Sequence, residues 1–387
     1  MEKTDTQHTL PIKLWLSDMD AQAFEQAIHL AEHPATVGHV AIMPDAHVGY
    51  GMPIGAIMAT LDTVIPNAVG VDIGCGMCAV RTGLHNIHSA TLKKIMARIR
   101  KTVPLGFAKH KKPQDATLMP EPDERQMPVV CREFTRAQKQ LGTLGGGNHF
   151  IELQKGDDNH IWIMIHSGSR NLGHQVATFH NRLAVKMNEQ STPRVPKNWQ
   201  LAGLPLHSRE AEQYLAEMGF CVDFAYANRR LMLQRVQEAI AEETGNTVFG
   251  EIINKSHNFA AWEEYEGRKL LVHRKGATRA FTDEPGLIPG SQGTKSYIVR
   301  GKGNPESFCS CSHGAGRRLG RKQATQKLSL KKELQSLDKL GVIHAIRGKH
   351  DLDEAPGAYK DIDKVMALQT DLVRIEVRLR PLAVVKG

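Results

Sequence analysis

The sequence predicts an α+β fold in which a mixed β core is surrounded by helices within one compact domain, residues 1–387. Short apolar runs of strand length recur at residues 40–82, at 161–165 and in the alternating C-terminal run VRIEVRLRPLAVV. Longer segments with helical spacing lie between them, above all residues 209–243. No internal repeat or linker divides the chain, and 41% hydrophobic residues suffice for a substantial core.

The charge balance favours a polyanionic partner, nucleic acid first. Lys and Arg number 50 against 41 Asp and Glu, a formal charge of +9 at pH 7. Charge alone is equally compatible with a basic protein that has no such partner. The six cysteines do not resemble a secreted disulfide scaffold, so free thiols or metal ligands are expected. No segment has the pattern of a signal peptide or a membrane span, so the expected location is the cytoplasm.

The first group of strand-like runs alternates with glycine-rich turns, which places polar residues at strand ends. In VGVDIGCGM, Asp72 and Cys75 lie three apart, so a carboxylate and a thiolate can converge on one cation. Cys78 forms a CxxC pair with Cys75, a pattern compatible with zinc binding, redox chemistry or packing alone. Asp45 and His47 in PDAH are further candidates, although an Asp that only orders a loop explains the first equally well.

Three consecutive glycines precede Asn148 and His149 in LGTLGGGNHFIEL. The strand pattern that follows places His149 and Ile151 on one face, and Phe150 and Glu152 on the other. A flexible turn thus delivers polar groups to both faces of a strand. A histidine in a core strand is nevertheless often structural.

The strand IWIMI is followed by His166, Ser167 and Ser169, which emerge at its C-terminal end. The two serines suggest a hydrolase nucleophile, but no GxSxG elbow and no obvious acid partner accompany them. Later in the chain, His257 and Asn258 follow another apolar run. These polar residues again lie where a predicted strand ends.

The remaining segments are predicted as follows. Residues 91–103 have helical spacing with one basic face, and residues 107–133 lack periodicity and form an exposed loop of the length that often touches substrate. On the long helix, the basic positions Arg229, Arg230 and Arg235 are expected to form a solvated face.

The stretch FCSCSHGAGRRLGR carries the equipment for holding phosphate. His313 directly precedes Gly314, Ala315 and Gly316, and three arginines follow, Arg317, Arg318 and Arg321. Small residues let the backbone approach an anion, and a helix that begins near Arg317 would add positive potential. The loop at 288–301 is a second possible cradle. The alternative is a glycine-rich turn followed by a solvated basic helix.

Five segments therefore present a metal-capable or phosphate-capable residue where an apolar run ends. The residues are Asp72 with Cys75, His149, His166, His257 and His313. Thiolate, imidazole and carboxylate together suit Mn²⁺, Zn²⁺ or Fe²⁺ and argue against Ca²⁺ or Mg²⁺ alone.

Taken in order, the motifs GVDIGCGM, LGTLGGGNHFIEL, IMIHSGSRNLGH, SHN, IPGSQGTKSYIVRG, FCSCSHGAGR and AYKDID resemble those of the RtcB family of RNA-splicing ligases. The resemblance runs from about residue 10 to the final VKG. It implies a GTP- and Mn²⁺-dependent ligase that joins an RNA 3′-phosphate or 2′,3′-cyclic phosphate to a 5′-hydroxyl end. His313 would become guanylylated, and the GMP would then move to the RNA 3′-phosphate. An accessory activator is a possible further partner.

The resemblance also implies which residues hold the two Mn²⁺ ions and the guanosine nucleotide. The metal ligands would be Asp72, Cys75, His149, His166 and His257, with Cys75 bridging the ions. The nucleotide contacts would come from Asn148, His149, Phe150, Ile151, Glu152, His257, Asn258, Pro289, Gly290, Ser291, Gln292, Ser296, His313, Gly314, Ala315, Gly316, Tyr359 and Lys386.

One segment departs from the family's pattern, and two other functions compete with the ligase. Residues 105–140 are short and idiosyncratic for the family, which concerns substrate choice and not the chemistry. The competing hypotheses are a metal-dependent phosphohydrolase or nuclease that uses the same cluster, and a non-catalytic RNA-binding relative. An intact HGAGR histidine disfavours the first, and an intact ligand set disfavours the second.

Overall fold

The computed structural model describes residues 1–387. The helices are α1 (Ala21–Ala31), α2 (Pro66–Val69), α3 (Ser89–Thr102), α4 (Pro128–Gln138), α5 (Arg170–Asn188), α6 (Arg209–Thr244), α7 (Arg321–Lys327), α8 (Leu330–Lys339) and α9 (Ile362–Ala367). The strands are β1 (Lys3–Asp5), β2 (Ile12–Leu14), β3 (Thr36–His47), β4 (Ile54–Thr60), β5 (Thr63–Val64), β6 (Gly76–Arg81), β7 (Phe150–Gly156), β8 (Ile161–Ser167), β9 (Leu204–Pro205), β10 (Ile253–Ser256), β11 (Asn258–Tyr265), β12 (Arg268–Lys275), β13 (Ala277–Arg279), β14 (Pro285–Ile288), β15 (Ser296–Gly301), β16 (Ser310–Ser312) and β17 (Val373–Lys386).

Seven strands form an antiparallel sheet in the order β10-β6-β8-β7-β17-β15-β14. Its register pairs Phe150, at the start of β7, with His166 near the end of β8 and with Lys386 at the end of β17. Gly76, at the start of β6, lies beside the same end of β8 and pairs with Ser256 at the end of β10. Because an antiparallel pair brings the end of one strand beside the start of the next, these distant residues meet at one end of the sheet.

A second sheet of six strands has the order β1-β2-β3-β4-β12-β11. β2 and β3 run parallel, whereas the other neighbours run antiparallel, so the sheet is mixed. The end of β3 is fixed by Lys360, whose ammonium donates to the carbonyls of Pro44 (3.1 Å) and Ala46 (2.7 Å). This places Asp45 close to His313, which follows the short strand β16. The predicted α+β fold with a mixed β core is thus confirmed.

The helices cover these sheets through apolar faces. α3 and part of α6 pack on the seven-stranded sheet, α1 packs on the six-stranded sheet, and α4, α5 and α6 share a third apolar cluster. Ser208 caps α6 by accepting from the Ala211 N–H at 3.2 Å, and Gly245 ends it with a φ of +73°. The helix predicted at 209–243 is therefore confirmed. None of the helices is long and apolar enough to span a membrane.

Three local predictions differ from the structure. The predicted loop at 107–133 ends earlier, because α4 already begins at Pro128. The basic helix begins at Arg321 and not near Arg317. Of the expected solvated arginines, only Arg230 is exposed, since Arg235 is half-buried and Arg229 is fully buried. The periodic pattern located the helix correctly, but it did not show which of its faces packs against the rest of the chain.

Candidate active site

The centre of the site is a group of three buried side chains from the convergent end of the seven-stranded sheet. Cys75 precedes β6, His149 precedes β7 and His166 lies near the end of β8, and their ligand atoms all lie within 4.8 Å of one another. The Cys75 Sγ is 3.4 Å from the His149 Nε2 and 3.2 Å from the His166 Nε2. A thiolate and two imidazoles at this spacing suit a transition-metal ion.

Backbone carbonyls orient both histidines toward that centre. The His149 Nδ1 donates to the Leu144 carbonyl at 3.0 Å, and the His166 Nδ1 donates to the Asn148 carbonyl at 3.2 Å. With the proton on Nδ1, each ring turns Nε2 toward Cys75. A second ring nitrogen held in this way is the usual support of a metal-ligating histidine.

The other two predicted ligands lie at the margins of this group. The Asp72 Oδ2 is 3.2 Å from the His149 Nε2, and the His257 ring centroid is 5.2 Å from that of His166. The His257 Nδ1 is buried and has no hydrogen-bond partner in the protein. A buried polar atom without a partner is costly, and a metal ion would satisfy it. The donor set and this orphan nitrogen therefore fit a metal ion.

Burial controls the charge of these ligands. It lowers the pKa of His166 and of His257 well below the ordinary value, and neighbouring histidines add to the effect, so both rings are neutral and able to ligate. Burial also raises the pKa of the Cys75 thiol, and the charge of Asp72 adds to it. For Asp72 itself, burial acts to raise the pKa, but His149 and Arg170 outweigh it and lower the pKa.

A buried arginine from α6 ties the ligand-bearing loops together. The Arg229 guanidinium donates to the carbonyls of Gly74 and Ser167, both at 2.8 Å, and to the Asn254 Oδ1 at 2.7 Å. These acceptors lie beside Cys75, His166 and the start of the segment that carries His257. Arg229 was predicted to be solvated, so its role in the site was missed.

His313 lies next to the metal ligands, with its ring centroid 4.8 Å from that of His257. Its Nδ1 is 2.6 Å from the Asp45 Oδ2, and the backbone N–H groups of His313 and Gly314 donate to the same oxygen at 3.1 and 3.3 Å. The Asp45 pKa is lowered, because the charge and hydrogen bond of His313 outweigh the raising effect of burial. The His313 Nε2 makes no hydrogen bond within the protein.

A cavity of about 590 Å³ opens in front of His313. Most of the predicted nucleotide contacts line it: Asn148, Phe150, Glu152, Pro289, Gly290, Ser291, Gln292, His313, Gly314, Ala315, Gly316, Tyr359 and Lys386. The predicted metal ligand His166 also lines it. The three arginines after the glycine-rich turn, Arg317, Arg318 and Arg321, line it as well. A volume of this order is typical of sites for small ligands.

Several predicted contacts lie outside the cavity wall. Ile151 packs in the apolar cluster under the sheet, as expected for the face opposite Phe150 and Glu152. The Ser296 Oγ accepts from Gln154 at 3.0 Å and from the Gly290 N–H at 3.2 Å. Asn258 donates to the Asp72 carbonyl at 3.0 Å. Ser296 and Asn258 therefore shape loops that border the site. The other two predicted nucleotide contacts outside the cavity wall, His149 and His257, lie with the metal ligands.

The far end of the cavity contains a network of paired charges. Glu354 accepts from Lys386 at 2.9 Å and from the Tyr359 hydroxyl, and it lies 3.1 Å from Arg317 and 3.0 Å from Arg321. Sequence reasoning missed Glu354, since nothing in EAPGAY marks this carboxylate. The Arg317 guanidinium also stacks on the Tyr359 ring, 5.1 Å from its centroid.

Glu152 lies nearby and is almost fully buried. Burial raises the pKa of Glu152 to about 8, against the lowering effects of its hydrogen bond from Gln154 and the charge of Lys386. The carboxyl group is therefore largely protonated at neutral pH in the ligand-free protein.

The chain matches the family model described as tRNA-splicing ligase RtcB over residues 26–130 and 121–387. It is 37% identical over 406 aligned residues to the RNA-splicing ligase RtcB of Escherichia coli K12, covering 99% of this chain and 98% of the relative. It is 34% identical to the RNA-splicing ligase RtcB of Mycobacterium tuberculosis, covering 94% and 100%. For the tRNA-splicing ligase RtcB of Nanoarchaeum equitans the identity is 33%, covering 98% and 95%. Because the family model matches almost the whole chain and these relatives are 33–37% identical at near-complete coverage, the chain belongs to the RtcB family.

Proposed function

We propose that this protein is a GTP- and Mn²⁺-dependent RNA ligase that joins RNA 3′-phosphate or 2′,3′-cyclic phosphate ends to 5′-hydroxyl ends. The observation that carries the proposal is the placement of His313. It lies between the metal-capable cluster and the large cavity, with one ring nitrogen held by Asp45 and the other without a protein partner. The relatives' name, RNA-splicing ligase, agrees with this chemistry.

Asp45 would prepare His313 for nucleophilic attack. An Nδ1–H donated to the Asp45 carboxylate leaves the lone pair on Nε2, and the carboxylate stabilises the positive charge that develops on the ring during attack. In the proposed step, Nε2 forms a bond to the α-phosphorus of GTP, the α–β phosphoanhydride bond breaks, and pyrophosphate leaves. The product is a guanylylated His313.

The metal ions would be held by Asp72, Cys75, His149, His166 and His257. Bound there, Mn²⁺ would neutralise phosphate charge and favour an in-line displacement. Residues outside the ligand set hold the ligands in position. Leu144 and Asn148 fix the ligand rings through their carbonyls, and Arg229 fixes the loops that carry them.

The nucleotide would lie along the cavity, with phosphates toward Gly314–Gly316 and the base toward Glu152 and Tyr359. Small residues after His313 let the backbone approach the phosphates, and Arg317 and Arg318 add positive charge. An ionised Glu152 can accept from the guanine N1–H and N2–H₂ groups, which adenine does not offer in the same arrangement. Lys386 lies close enough to lower the pKa of Glu152.

Two further steps would complete the reaction. The RNA 3′-phosphate attacks the phosphorus of the guanylylated histidine, which breaks the P–N bond and leaves GMP on the RNA end. The 5′-hydroxyl of the second RNA then attacks the 3′-phosphate and displaces GMP. A 2′,3′-cyclic phosphate must first be hydrolysed to the 3′-phosphate.

The test is covalent labelling with Mn²⁺ and GTP labelled at the α-phosphate. We expect a label at His313 that acid removes and alkali does not, as for a phosphoramidate. His313→Ala should lose the label but keep its metal, whereas His166→Ala or His257→Ala should lose both. His313→Ala should still seal an RNA whose 3′-phosphate already carries GMP. RNA cleavage or joining by an unlabelled wild-type protein would overturn the mechanism in favour of a metal-dependent phosphohydrolase.

A further inference from the structure

One exposed aromatic residue stands apart from the rest of the surface. The Phe107 side chain is 108% exposed, which means that it is as accessible as in an isolated peptide. A phenylalanine that packed against the fold would add roughly 1.5–3 kcal/mol of stability, so full exposure forgoes that gain. Exposed aromatic rings of this kind are typical of binding surfaces.

The turn that carries Phe107 is well ordered. The Ala108 N–H donates to the Leu105 carbonyl at 3.0 Å, and Gly106 between them has a φ of +59°. On the far side of the turn, Arg235 holds the chain by donating to the Gln114 Oε1 at 2.7 Å and the Gly142 carbonyl at 2.8 Å. Phe107 is therefore displayed on a turn that hydrogen bonds anchor to the rest of the chain.

The turn is also joined directly to the candidate active site. The Gly106 N–H donates to the Gly145 carbonyl at 2.9 Å, and the Leu144 N–H donates to the Pro104 carbonyl at 3.0 Å. Leu144 is the residue whose carbonyl orients His149. The Phe107 turn thus lies beside the glycine-rich loop that leads to the metal ligands.

A second cavity of about 230 Å³ adjoins the large one, with which it shares Gln292, Arg321, Glu354 and Lys386. Gly147 and Gly387 also line it. Gly387 packs against Gly106 and Gly145. The second cavity therefore reaches Gly387, which lies next to the turn that carries Phe107.

Three lysines follow Phe107 in the same turn region, Lys109, Lys111 and Lys112. All three are exposed, and none forms an ion pair with a carboxylate. Unpaired cations beside an exposed aromatic ring are the combination that single-stranded nucleic acids bind, through backbone phosphates and base stacking. An apolar protein partner would not require the lysines.

We propose that Phe107 is a stacking platform for an unpaired RNA base, and that Lys109, Lys111 and Lys112 hold the adjoining phosphates as the strand runs to the active site. The inference rests on the proposed function, since it concerns the RNA that this ligase would join. It assigns to the short segment 105–112 a part in RNA binding that is separate from the chemistry at His313.

The test is equilibrium binding of a labelled single-stranded RNA with a 3′-phosphate, measured at several salt concentrations. We expect Phe107→Ala to bind about 5- to 100-fold more weakly, and Phe107→Trp to bind at least as well as the wild type. Changing the three lysines to Gln should reduce the slope of log K against log salt by about 2, since each phosphate contact on a single strand contributes roughly 0.7. Labelling of the protein by GTP without RNA should stay unchanged in all of these variants.

Trp262→Ala is the matched control, because Trp262 is also an exposed aromatic residue beside a lysine, Lys269, but lies on β11 at the edge of the other sheet. It should bind RNA as the wild type does. Wild-type affinity in Phe107→Ala would overturn the inference whether or not the protein is labelled by GTP. Loss of a dimer in Phe107→Ala, with RNA affinity unchanged, would show instead that this surface joins two copies of the chain.

Discussion

The two ends of the large cavity are prepared for their ligands in opposite ways. At the metal end, carbonyls orient two histidines, and the His257 Nδ1 has no partner in the protein. At the far end, Glu354 is already paired with Lys386, Arg317 and Arg321. The metal end therefore offers an unpaired ligand nitrogen to an ion, whereas a nucleotide bound as proposed would have to replace existing pairings at the far end.

The largest expected effect comes from removing a donor at the metal end. Cys75→Ala should abolish high-affinity metal binding and activity, because the ligand group loses its only sulfur ligand. Cys78→Ala should retain most of both, since Cys78 packs in the apolar cluster and burial raises its pKa to about 12. Metal content by mass spectrometry and a ligation assay provide the measurements. Equal losses in the two variants would indicate a CxxC metal unit.

The second prediction concerns the boundary between the two ends, where Asp45 supports His313. Asp45→Asn should reduce guanylylation by about 10³-fold or more, because an amide no longer fixes the productive tautomer or stabilises the charge on the ring. Metal content should remain that of the wild type, since Asp45 does not contact the metal ligand group. A parallel loss of metal would show that the two parts of the site do not act separately.

The third prediction tests how the base is read at the far end. Because the Glu152 pKa is about 8 without ligand, guanine binding to the ionised form requires loss of a proton. The preference for GTP over ATP should therefore rise with pH, by up to about tenfold for each pH unit, until the pH reaches about 8, and it should be constant above that pH. Because GTP and ATP carry the same triphosphate group, the ratio of their affinities is not affected by the titration of the phosphates.

Glu152→Gln should remove this pH dependence and reduce the preference for GTP by about 10²-fold, because buried polar groups of the base would be left poorly paired. Competition binding between pH 6 and 9 measures both quantities. A wild-type preference that is constant over this range would show that Glu152 does not read the base.

The smallest expected effect tests the exchange of partners at Glu354. Glu354→Gln should destabilise the ligand-free protein by about 1–3 kcal/mol, because Lys386 and Arg317 lose their buried counter-charge. GTP should then raise the melting temperature more than it does in the wild type, since its phosphates would lie near Arg317 and supply the negative charge that this guanidinium has lost. Differential scanning fluorimetry measures both shifts.

Glu284→Gln is the matched control, since Glu284 pairs with Lys255 and Arg279 but does not line either cavity. It should lower the melting temperature without changing the shift that GTP produces. An equal GTP shift in Glu354→Gln and the wild type would mean that the nucleotide leaves these pairings intact.

The difference between the metal end and the far end also explains which parts of the site could be predicted from the sequence. The metal end consists of short motifs in which each ligand lies at or next to the end of a strand-like run. Asp72, Cys75, His149, His166 and His257 were therefore assigned as one group, and the structure brings the ligand atoms of Cys75, His149 and His166 within 4.8 Å of one another. The C-terminal strand was predicted from the alternation in VRIEVRLRPLAVV, and it is confirmed by β17, Val373–Lys386. Such features depend on local periodicity and on residue types, Cys and His, that are common metal ligands.

The features that were missed depend on contacts between distant parts of the chain. Arg229 has the same helical spacing as its exposed neighbour Arg230, and only the docking of α6 decides which one is buried. Glu354 acquires its role because Lys386 and Arg321 approach it from other segments. No local pattern encodes such pairings, because their geometry is set by tertiary packing.

The position of Arg229 links metal binding to the order in which the chain folds. Its acceptors Gly74 and Ser167 are 155 and 62 residues away in the sequence, so the loops they belong to become fixed only after large chain segments have closed. A partly folded chain would carry all the ligand residues but lack their arrangement. In a refolding experiment, tight Mn²⁺ uptake should therefore coincide with the slowest phase of chain compaction, and uptake in an earlier phase would show that the loops assemble without α6.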